Sequence, residues 1–272
     1  CFINLESVLA SYFKHRMNLA KTRDFIINWL ENFAKQNSIT HFIVGVSGGI
    51  DSALTSTLCS MSNINTIAVS MPIHQKKIEL DNALKHCKWL HASFKNTSIH
   101  TINLTQTFEQ YKNTIPSEFQ SPLALANSRA RLRMITLYQI ANSTNGLVVG
   151  TGNKIEDFGI GFFTKYGDGG VDISPIADLK KTEVKKLANF CGINQDIINT
   201  PPTDGLWDDG RNDEDQIGAS YKELEWAMDF KGNSRLSIRE KEVLAIYNKL
   251  HNQNQHKMNP IPVCHIPKDF LS

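Results

Sequence analysis

The run Phe42-Ile43-Val44-Gly45-Val46-Ser47-Gly48-Gly49-Ile50-Asp51-Ser52-Ala53-Leu54 leaves few choices to the chain that carries it. A short apolar stretch ends in a serine, two glycines, an aspartate and a second serine, and a helical pattern then begins at Ala53. Glycine lets the backbone turn tightly and approach a ligand with no Cβ in the way. Serine hydroxyls and the free N–H groups opening the next helix make a nest for oxyanions, reinforced by the positive end of the helix. An aspartate in such a loop repels phosphate unless a cation lies between them, so Asp51 points to Mg²⁺. The plainer alternative is a strand-to-helix turn whose glycines serve geometry alone; the two serines and Asp51 argue against it.

Other β-rich runs occur at Thr66–Met71, Ile99–Leu104 and Leu147–Gly150, separated by helical patterns over 76–92 and 121–142. Short apolar strands alternating with helices predict an α/β fold, a single-domain three-layer α/β/α unit around a mainly parallel, Rossmann-like sheet. Ligands of such sheets bind at the carboxyl ends of the strands, near the point where strand order reverses, and the Ser47–Ser52 loop falls there. We expect the whole of 1–272 to form this unit: N-terminal helices within 1–38 (4–15 and 19–36), a core over 40–200, and a loop and helices over 201–272. In the second helix Phe25, Ile26, Trp29, Leu30 and Phe33 form one apolar stripe. The chain has no internal repeat, low-complexity segment or Pro/Gly/Ser linker.

A formal charge of +2 is too small to argue for nucleic acid or a bulk membrane surface, and no apolar run reaches the length of a membrane span. The five cysteines show no paired C-x-x-C spacing, which indicates neither a zinc knuckle nor a disulfide framework. A reducing cytoplasm is the expected compartment.

Ser121-Pro122 opens a helix as N-cap and first-position proline, and Ala126, Ala130, Met134, Leu137 and Ala141 give it a stripe suited to burial. Asn127 and Arg131 share one face, Arg129 and Arg133 another. Arg131 suits phosphate through its planar fork, while Arg129 or Arg133 is expected in a structural ion pair. Residues 151–172 follow an apolar strand and carry Thr151-Gly152-Asn153-Lys154-Ile155-Glu156 and Lys165-Tyr166-Gly167-Asp168-Gly169-Gly170. The second run is too glycine-rich for regular structure and too charged for a core, which favours a binding loop. Glu156 is placed to supply a second carboxylate to the cation held by Asp51.

Asp178 is expected to cap a helix over 179–191 that stops at Gly192, with Lys181 in its first turn, where a cation opposes the helix dipole. That small penalty argues for a ligand role. The acid run Asp208, Asp209, Asp213, Glu214 and Asp215 does not fit a calcium loop and reads as a solvated, mobile segment or a lid. Ser237-x-x-Glu240 is a capping box for a last helix to about residue 250, and His256-Lys257 reads from charge as solvated tail.

The first loop lacks the G-x-x-x-x-G-K-[ST] spacing and its lysine; Ser-Gly-Gly-Ile-Asp-Ser resembles instead the pyrophosphate loop of the N-type ATP pyrophosphatases. Four motifs stand in the order found in NAD synthetases. They are Ser47–Ser52, Asn127-x-x-x-Arg131-x-Arg133-Met134, Gly150-Thr151-Gly152-Asn153-Lys154-x-Glu156, and Phe163-Thr164-Lys165-Tyr166-Gly167-Asp168-Gly169-Gly170-x-Asp172. Pro202-Thr203 and His256-Lys257 also resemble that family, and the match covers roughly residues 40–260.

The resemblance implies a ligase that joins ammonia to the nicotinate carboxylate of deamido-NAD through an acyl-adenylate, with ATP becoming AMP and pyrophosphate. It assigns ATP to Gly45, Val46, Ser47, Gly48, Gly49, Ile50, Asp51, Ser52, Thr151, Lys181 and Thr203, and Mg²⁺ to Asp51 and Glu156. Deamido-NAD falls to Arg131, Lys165, Asp172, His256 and Lys257, with Asp168 and Lys181 near the acyl-adenylate and Asp168 taking a proton from ammonium. A homodimer with the dinucleotide at its interface is implied, with no nucleic acid and no membrane partner.

Glutamine-using relatives carry a large N-terminal amidohydrolase domain. About 40 residues precede the first strand here, too few for such a domain, so free ammonia is the expected donor, with a separate glutaminase subunit as the alternative. Two stretches depart from the family pattern: 122–126 lacks the aromatic residue that often stacks on substrate, and 71–81 matches weakly. Competing readings are another ATP-dependent amide or thiol transferase, such as a GMP synthetase ATPase domain or a tRNA-thiolating enzyme, and a silent nucleotide-binding module. Thiolation favours paired cysteines and a basic surface, and a silent module is expected to lack Asp51, Glu156 or Asp168.

Overall fold

A computed structural model describes residues 17–201, 212–232 and 235–271. The expected helix over 4–15, Thr203, Asp208 and Asp209 lie outside the described residues. The first described helix, α1 (Leu19–Gln36), opens on Asn18, whose side chain accepts from the Lys21 amide at 3.0 Å. Its buried ridge is Ile26, Leu30 and Ala34, while Phe25, expected on that stripe, stays 71% exposed. The chain continues through β1 (His41–Gly45), α2 (Ile50–Met61), β2 (Asn65–Ser70), α3 (Lys77–Ser93), β3 (Thr97–Thr101) and α4 (Thr105–Thr114). Next come α5 (Pro122–Thr144) and β4 (Gly146–Val148). As its sequence predicts, α5 starts on the Ser121 cap with proline at its first position.

The strands form one parallel sheet in the order β3-β2-β1-β4. Because side chains alternate along a strand, each face receives its own core. Phe42 and Val44 face α1 and α2, and Val46 and Ala68 face Ala83, Cys87 and Leu90 of α3. Ile43, Ile67, Val69 and Val148 meet Phe108 of α4 and Met134 and Leu137 of α5 on the other side. The result is a three-layer α/β/α fold. From β1 the chain runs outward to β2 and β3, then returns to place β4 on the opposite flank. Strand order therefore reverses between β1 and β4, which opens a crevice between the loops that follow them.

Past β4, Val149 bridges to Ile173 in parallel fashion, and the Gly150 amide donates to the Ile173 carbonyl at 2.7 Å. A π-helix spans Ile155–Ile160, followed by α6 (Lys181–Phe190), α7 (Gln195–Asn199), α8 (Asp213–Ile217), α9 (Tyr221–Asp229), α10 (Ile238–Gln253) and α11 (Gln255–Met258). Leu224, Val243 and Tyr247 of α9 and α10 bury Ile155 and Ile160 of the π-helix. The last third of the chain thus packs directly on the segment that follows β4.

Three local expectations are corrected. β3 begins at Thr97 and ends at Thr101, two residues ahead of the apolar run at its start; Ile102 and Leu104 leave the ladder but still donate to Ser70 and Pro72 carbonyls. Asp178 does not cap α6: it pairs with Lys154 at 2.7 Å, and the Lys180 amide donates to Glu183 Oε2 instead. The acids 213–215 are not a solvated loop but the first turn of α8, with Asn212 accepting from the Asp215 amide at 2.8 Å. Three carboxylates there face the positive end of the helix, which favours folding the segment.

Candidate active site

The loop after β1 and the segment after β4 form two walls of a cavity of about 630 Å³ at the carboxyl edge of the sheet. Residues Gly45 to Ser52 all line it. Ser47 Oγ lies 3.0 Å from Ser52 Oγ and accepts from the Gly49 amide at 3.2 Å, while Ser52 Oγ also accepts from the Ser47 amide at 3.2 Å. The two hydroxyls fasten the loop to the first turn of α2, whose amides have no intrahelical acceptor. At Gly48 φ is +94°, and an added Cβ would lie 2.3 Å from the Glu79 carbonyl oxygen. Only glycine lets α3 pack this close to the loop.

On the opposite wall, Asn153 is wholly buried and works in two directions. Its Oδ1 accepts from the amides of Ile155 and Glu156 at 3.1 and 3.2 Å, which starts the π-helix, and its Nδ2 donates to Asp51 Oδ1 at 3.2 Å. Glu156 is thereby brought beside Asp51. The Lys181 ammonium lies between them, 2.6 Å from Asp51 Oδ2 and 2.9 Å from Glu156 Oε1. Tyr221 of α9 donates its hydroxyl to the same Glu156 oxygen at 2.6 Å and to Asp213 at 3.3 Å, and its ring lies under the Lys181 ammonium.

Burial raises the Asp51 carboxyl above its ordinary range against the pull of Lys181. For Glu156 burial acts the same way, but Lys181 and the Tyr221 hydroxyl outweigh it and hold the group low. Burial opposes the charge on Lys181, yet the two carboxylates raise its affinity for its proton. Tyr221 stays protonated, because burial and the neighbouring Glu156 and Asp213 both disfavour a phenolate.

The hard oxygen set of Asp51 and Glu156 suits Mg²⁺, and a cation already placed between these oxygens shows that the geometry accommodates positive charge. No cluster of three or more His, Cys, Asp or Glu side chains among the described residues could hold a metal alone.

Asp157, the next residue, lines the same cavity. A Cβ on Gly152 would fall 2.1 Å from its Oδ2. Burial, then the nearby charges of Glu156, Asp168 and Asp51, push its carboxyl up to about 8.

The far side of the cavity is basic, and its cations donate to backbone carbonyls. Arg131 Nε donates to the Lys165 carbonyl at 3.2 Å, Lys165 to the His256 carbonyl, and Lys257 to the Phe163 carbonyl at 2.8 Å. Arg131, Lys165, His256 and Lys257 line the cavity, as do Thr151 and Asp168. Burial raises the Asp168 carboxyl, an effect partly opposed by the Thr164 amide, which donates to it at 3.0 Å. From the stretch 122–126, which has no aromatic residue, Leu123 and Ala126 line the cavity, and the weakly matching stretch 71–81 supplies Met71, Gln75 and Glu79.

Most of the residues singled out from sequence meet in this one cavity. Asp172 does not: it is absent from the lining, and its carboxylate accepts from the Val148 amide at 2.8 Å and the Tyr138 hydroxyl at 2.9 Å. Thr203 lies outside the described residues. Arg133, expected in a structural pair, lines the cavity while its Nε donates to the Met71 carbonyl at 3.0 Å, and burial lowers its guanidinium to about 10. Arg129 lies over the Phe108 ring.

Sequence reading missed Tyr221, Asn153 and Asp157. Asn153 sits inside a quoted motif and Asp157 beside Glu156, so adjacency was a usable signal for both. Tyr221 acts across 65 residues and carries no local mark.

Compared with known proteins, the family model for NAD synthase matches residues 23–261. The chain is 37% identical over 258 residues to an NH(3)-dependent NAD(+) synthetase of Alkaliphilus metalliredigens, covering 90% of this chain and 99% of that one. Among solved structures it is similar to an NMN synthetase from Francisella tularensis, with TM-score 0.83, 29% identity, and 92% of this chain and 100% of that one covered. It is likewise similar to an NH3-dependent NAD synthetase from Campylobacter jejuni, with TM-score 0.75, 26% identity, and again 92% and 100% covered.

Proposed function

Since the chain belongs to the NAD synthase family, we propose that it amidates the nicotinate carboxylate of deamido-NAD with ammonia, cleaving ATP to AMP and pyrophosphate. A carboxylate resists attack by an amine because oxide is not a usable leaving group. Transfer of the adenylyl group releases pyrophosphate and makes a mixed anhydride. Ammonia then adds to its carbonyl carbon and AMP leaves, with one proton lost from nitrogen. Negative charge develops on the phosphates in the first step, and cations with backbone N–H donors stabilise it.

The observation that carries this reading is the Asp51–Lys181–Glu156 cluster at the mouth of a serine-and-glycine loop, facing a basic wall across one cavity. In it Gly45–Ser52, Thr151 and Thr203 bind ATP, and Asp51 and Glu156 hold Mg²⁺, which when bound neutralises phosphate charge. Arg131, Lys165, His256 and Lys257 bind the acceptor. Asp168 takes the proton from ammonium; a carboxylate ordinarily titrates near 4, and burial supplies part of the added basicity the role requires.

The family resemblance also supports a homodimer with the acceptor at its interface, which sedimentation tests. A cytoplasmic location accords with the free state of Cys59, Cys87, Cys191 and Cys264. No helix among the described residues is long and apolar enough to cross a membrane.

A second reading changes only the acceptor, to nicotinate mononucleotide, and is favoured by the likeness to the NMN synthetase structure. Both acceptors present the same reacting carboxylate. The test is incubation with ATP, Mg²⁺ and each acceptor, with and without ammonium, following pyrophosphate and the amide product. The dinucleotide is expected to turn over with the higher kcat/KM, and a preference for the mononucleotide assigns the second reading. Pyrophosphate release that ignores both acceptors, or amide formation by Asp51→Asn at the parental rate, refutes the chemistry.

A further inference from the structure

We propose that Lys181 is a resident counter-ion at the metal site, which Mg²⁺ displaces readily only when a nucleotide phosphate is there to receive the ammonium. The inference rests on the reading of Asp51 and Glu156 as the metal-holding pair. Its first support is position: the Lys181 ammonium lies 2.6 Å from one carboxylate and 2.9 Å from the other. These are the oxygens a metal needs, and a lysine at that range fills the space between them. Burial is the second support, with the three side chains only 12%, 17% and 16% exposed for Lys181, Asp51 and Glu156. Two such carboxylates cannot stay charged side by side without a cation. In the ligand-free protein Lys181 is that cation.

The backbone carrying Lys181 is held independently of the ion pair. Glu225 of α9 accepts from both the amide and the hydroxyl of Thr182 at 2.8 Å, and Lys180 pairs with Asp229. The flexible four-carbon stem can therefore move while its attachment stays fixed. Lys181 is also the first residue of α6, where a positive charge faces the like-signed end of the helix. Once a metal takes the carboxylates, the ammonium loses its partners. Phosphates seated on the first-turn amides of α2, in the same cavity, provide new ones. Metal without nucleotide must displace Lys181 with only protein carboxylates such as Asp157 and Asp213, and no phosphate, to receive it. Nucleotide and metal consequently bind with positive coupling.

The test is calorimetric titration of Mg²⁺ into the ligand-free protein, with no nucleotide present. Lys181→Met keeps the apolar stem and removes the charge. We expect it to bind Mg²⁺ about tenfold or more tightly than the parent, since one charge-assisted contact to each carboxylate no longer competes. Lys181→Arg keeps a cation at the site and should bind no tighter than the parent. Equal Mg²⁺ affinity in the parent and Lys181→Met overturns the proposal. Unchanged Mg²⁺ binding in Asp51→Asn instead overturns the metal assignment beneath it, so the two failures are separable.

Should Lys181→Met not fold, the ¹⁵N-lysine resonance of Lys181 in the parent is followed through a Mg²⁺ titration with and without α,β-methylene-ATP. The resonance should shift in step with metal occupancy. An Nζ signal that stays put while the metal site saturates refutes displacement.

Discussion

Two adjacent glycines should respond very unequally to the same added methyl group. At Gly48, alanine must adopt φ near +94°, in the left-handed half of backbone space, which costs an L-residue about 1–2 kcal/mol. Its Cβ would also start 2.3 Å from the Glu79 carbonyl oxygen, where real contacts stay beyond 3.0 Å. The first turn of α3 must therefore retreat by at least 0.7 Å, the difference between those distances. That retreat loosens Ala83, Cys87 and Leu90 from Val46 and Ala68, an overpacking cost of about 1–3 kcal/mol. The sum is about 2–5 kcal/mol, or a Tm lower by roughly 5–15 °C for a chain of this size.

Gly49 has φ of −86°, and the nearest atom to an added Cβ there is Ser47 Oγ at an ordinary 3.4 Å. Alanine at this N-cap loses a few tenths of a kcal/mol and regains about as much from a stiffer unfolded chain, a net change of less than about 1 kcal/mol. Urea denaturation and calorimetry of the ligand-free variants measure both. Equal losses at the two positions, or a Gly48→Ala protein within 1 kcal/mol of the parent, would falsify the steric account.

Tyr221→Phe removes the hydroxyl that holds Glu156 at 2.6 Å. The half-saturating Mg²⁺ for pyrophosphate release should rise about 10- to 100-fold; a curve that overlays the parent's contradicts this. Asp157→Asn tests the carboxyl held near 8. A raised carboxyl keeps its proton in the folded state after the unfolded chain has released it, so its contribution to stability falls as pH rises from about 4 to about 8. The Tm of ligand-free Asp157→Asn relative to the parent should climb across that window and level off above it, whereas a difference that is flat between pH 5 and 8 removes the argument. Asp51→Asn should lose pyrophosphate release, read in the same assay that compares the acceptors.

The layers of the fold were legible because each strand is a short apolar run whose neighbours face opposite cores, as with Phe42 and Ile43. Ser121-Pro122 was equally legible, since a cap acts on its own next turn. What stayed hidden acts at a distance or off the usual periods. The π-helix at 155–160 has a widened turn that a 3.6-residue pattern cannot reveal. Asp172 reads as a ligand residue from its motif, and its bonds to Val148 and Tyr138 come from other elements. The acids at 213–215 read as a charge run, yet Asn212 and Asp215 form the capping box of a helix start. For Lys181 the unfavourable helix position rightly signalled a special role, and only the fold could supply its partners.

The catalytic edge of the sheet is not finished by the sheet. Glu156 and Lys181 hang from α9 through Tyr221, Glu225 and Asp229, all in the last third of the chain. A polypeptide severed after Thr200 would thus yield two silent fragments, one with the phosphate loop and one with the brace. Fusing each fragment to one member of a binding pair would make a switch in which nucleotide synthesis reports that the pair has met.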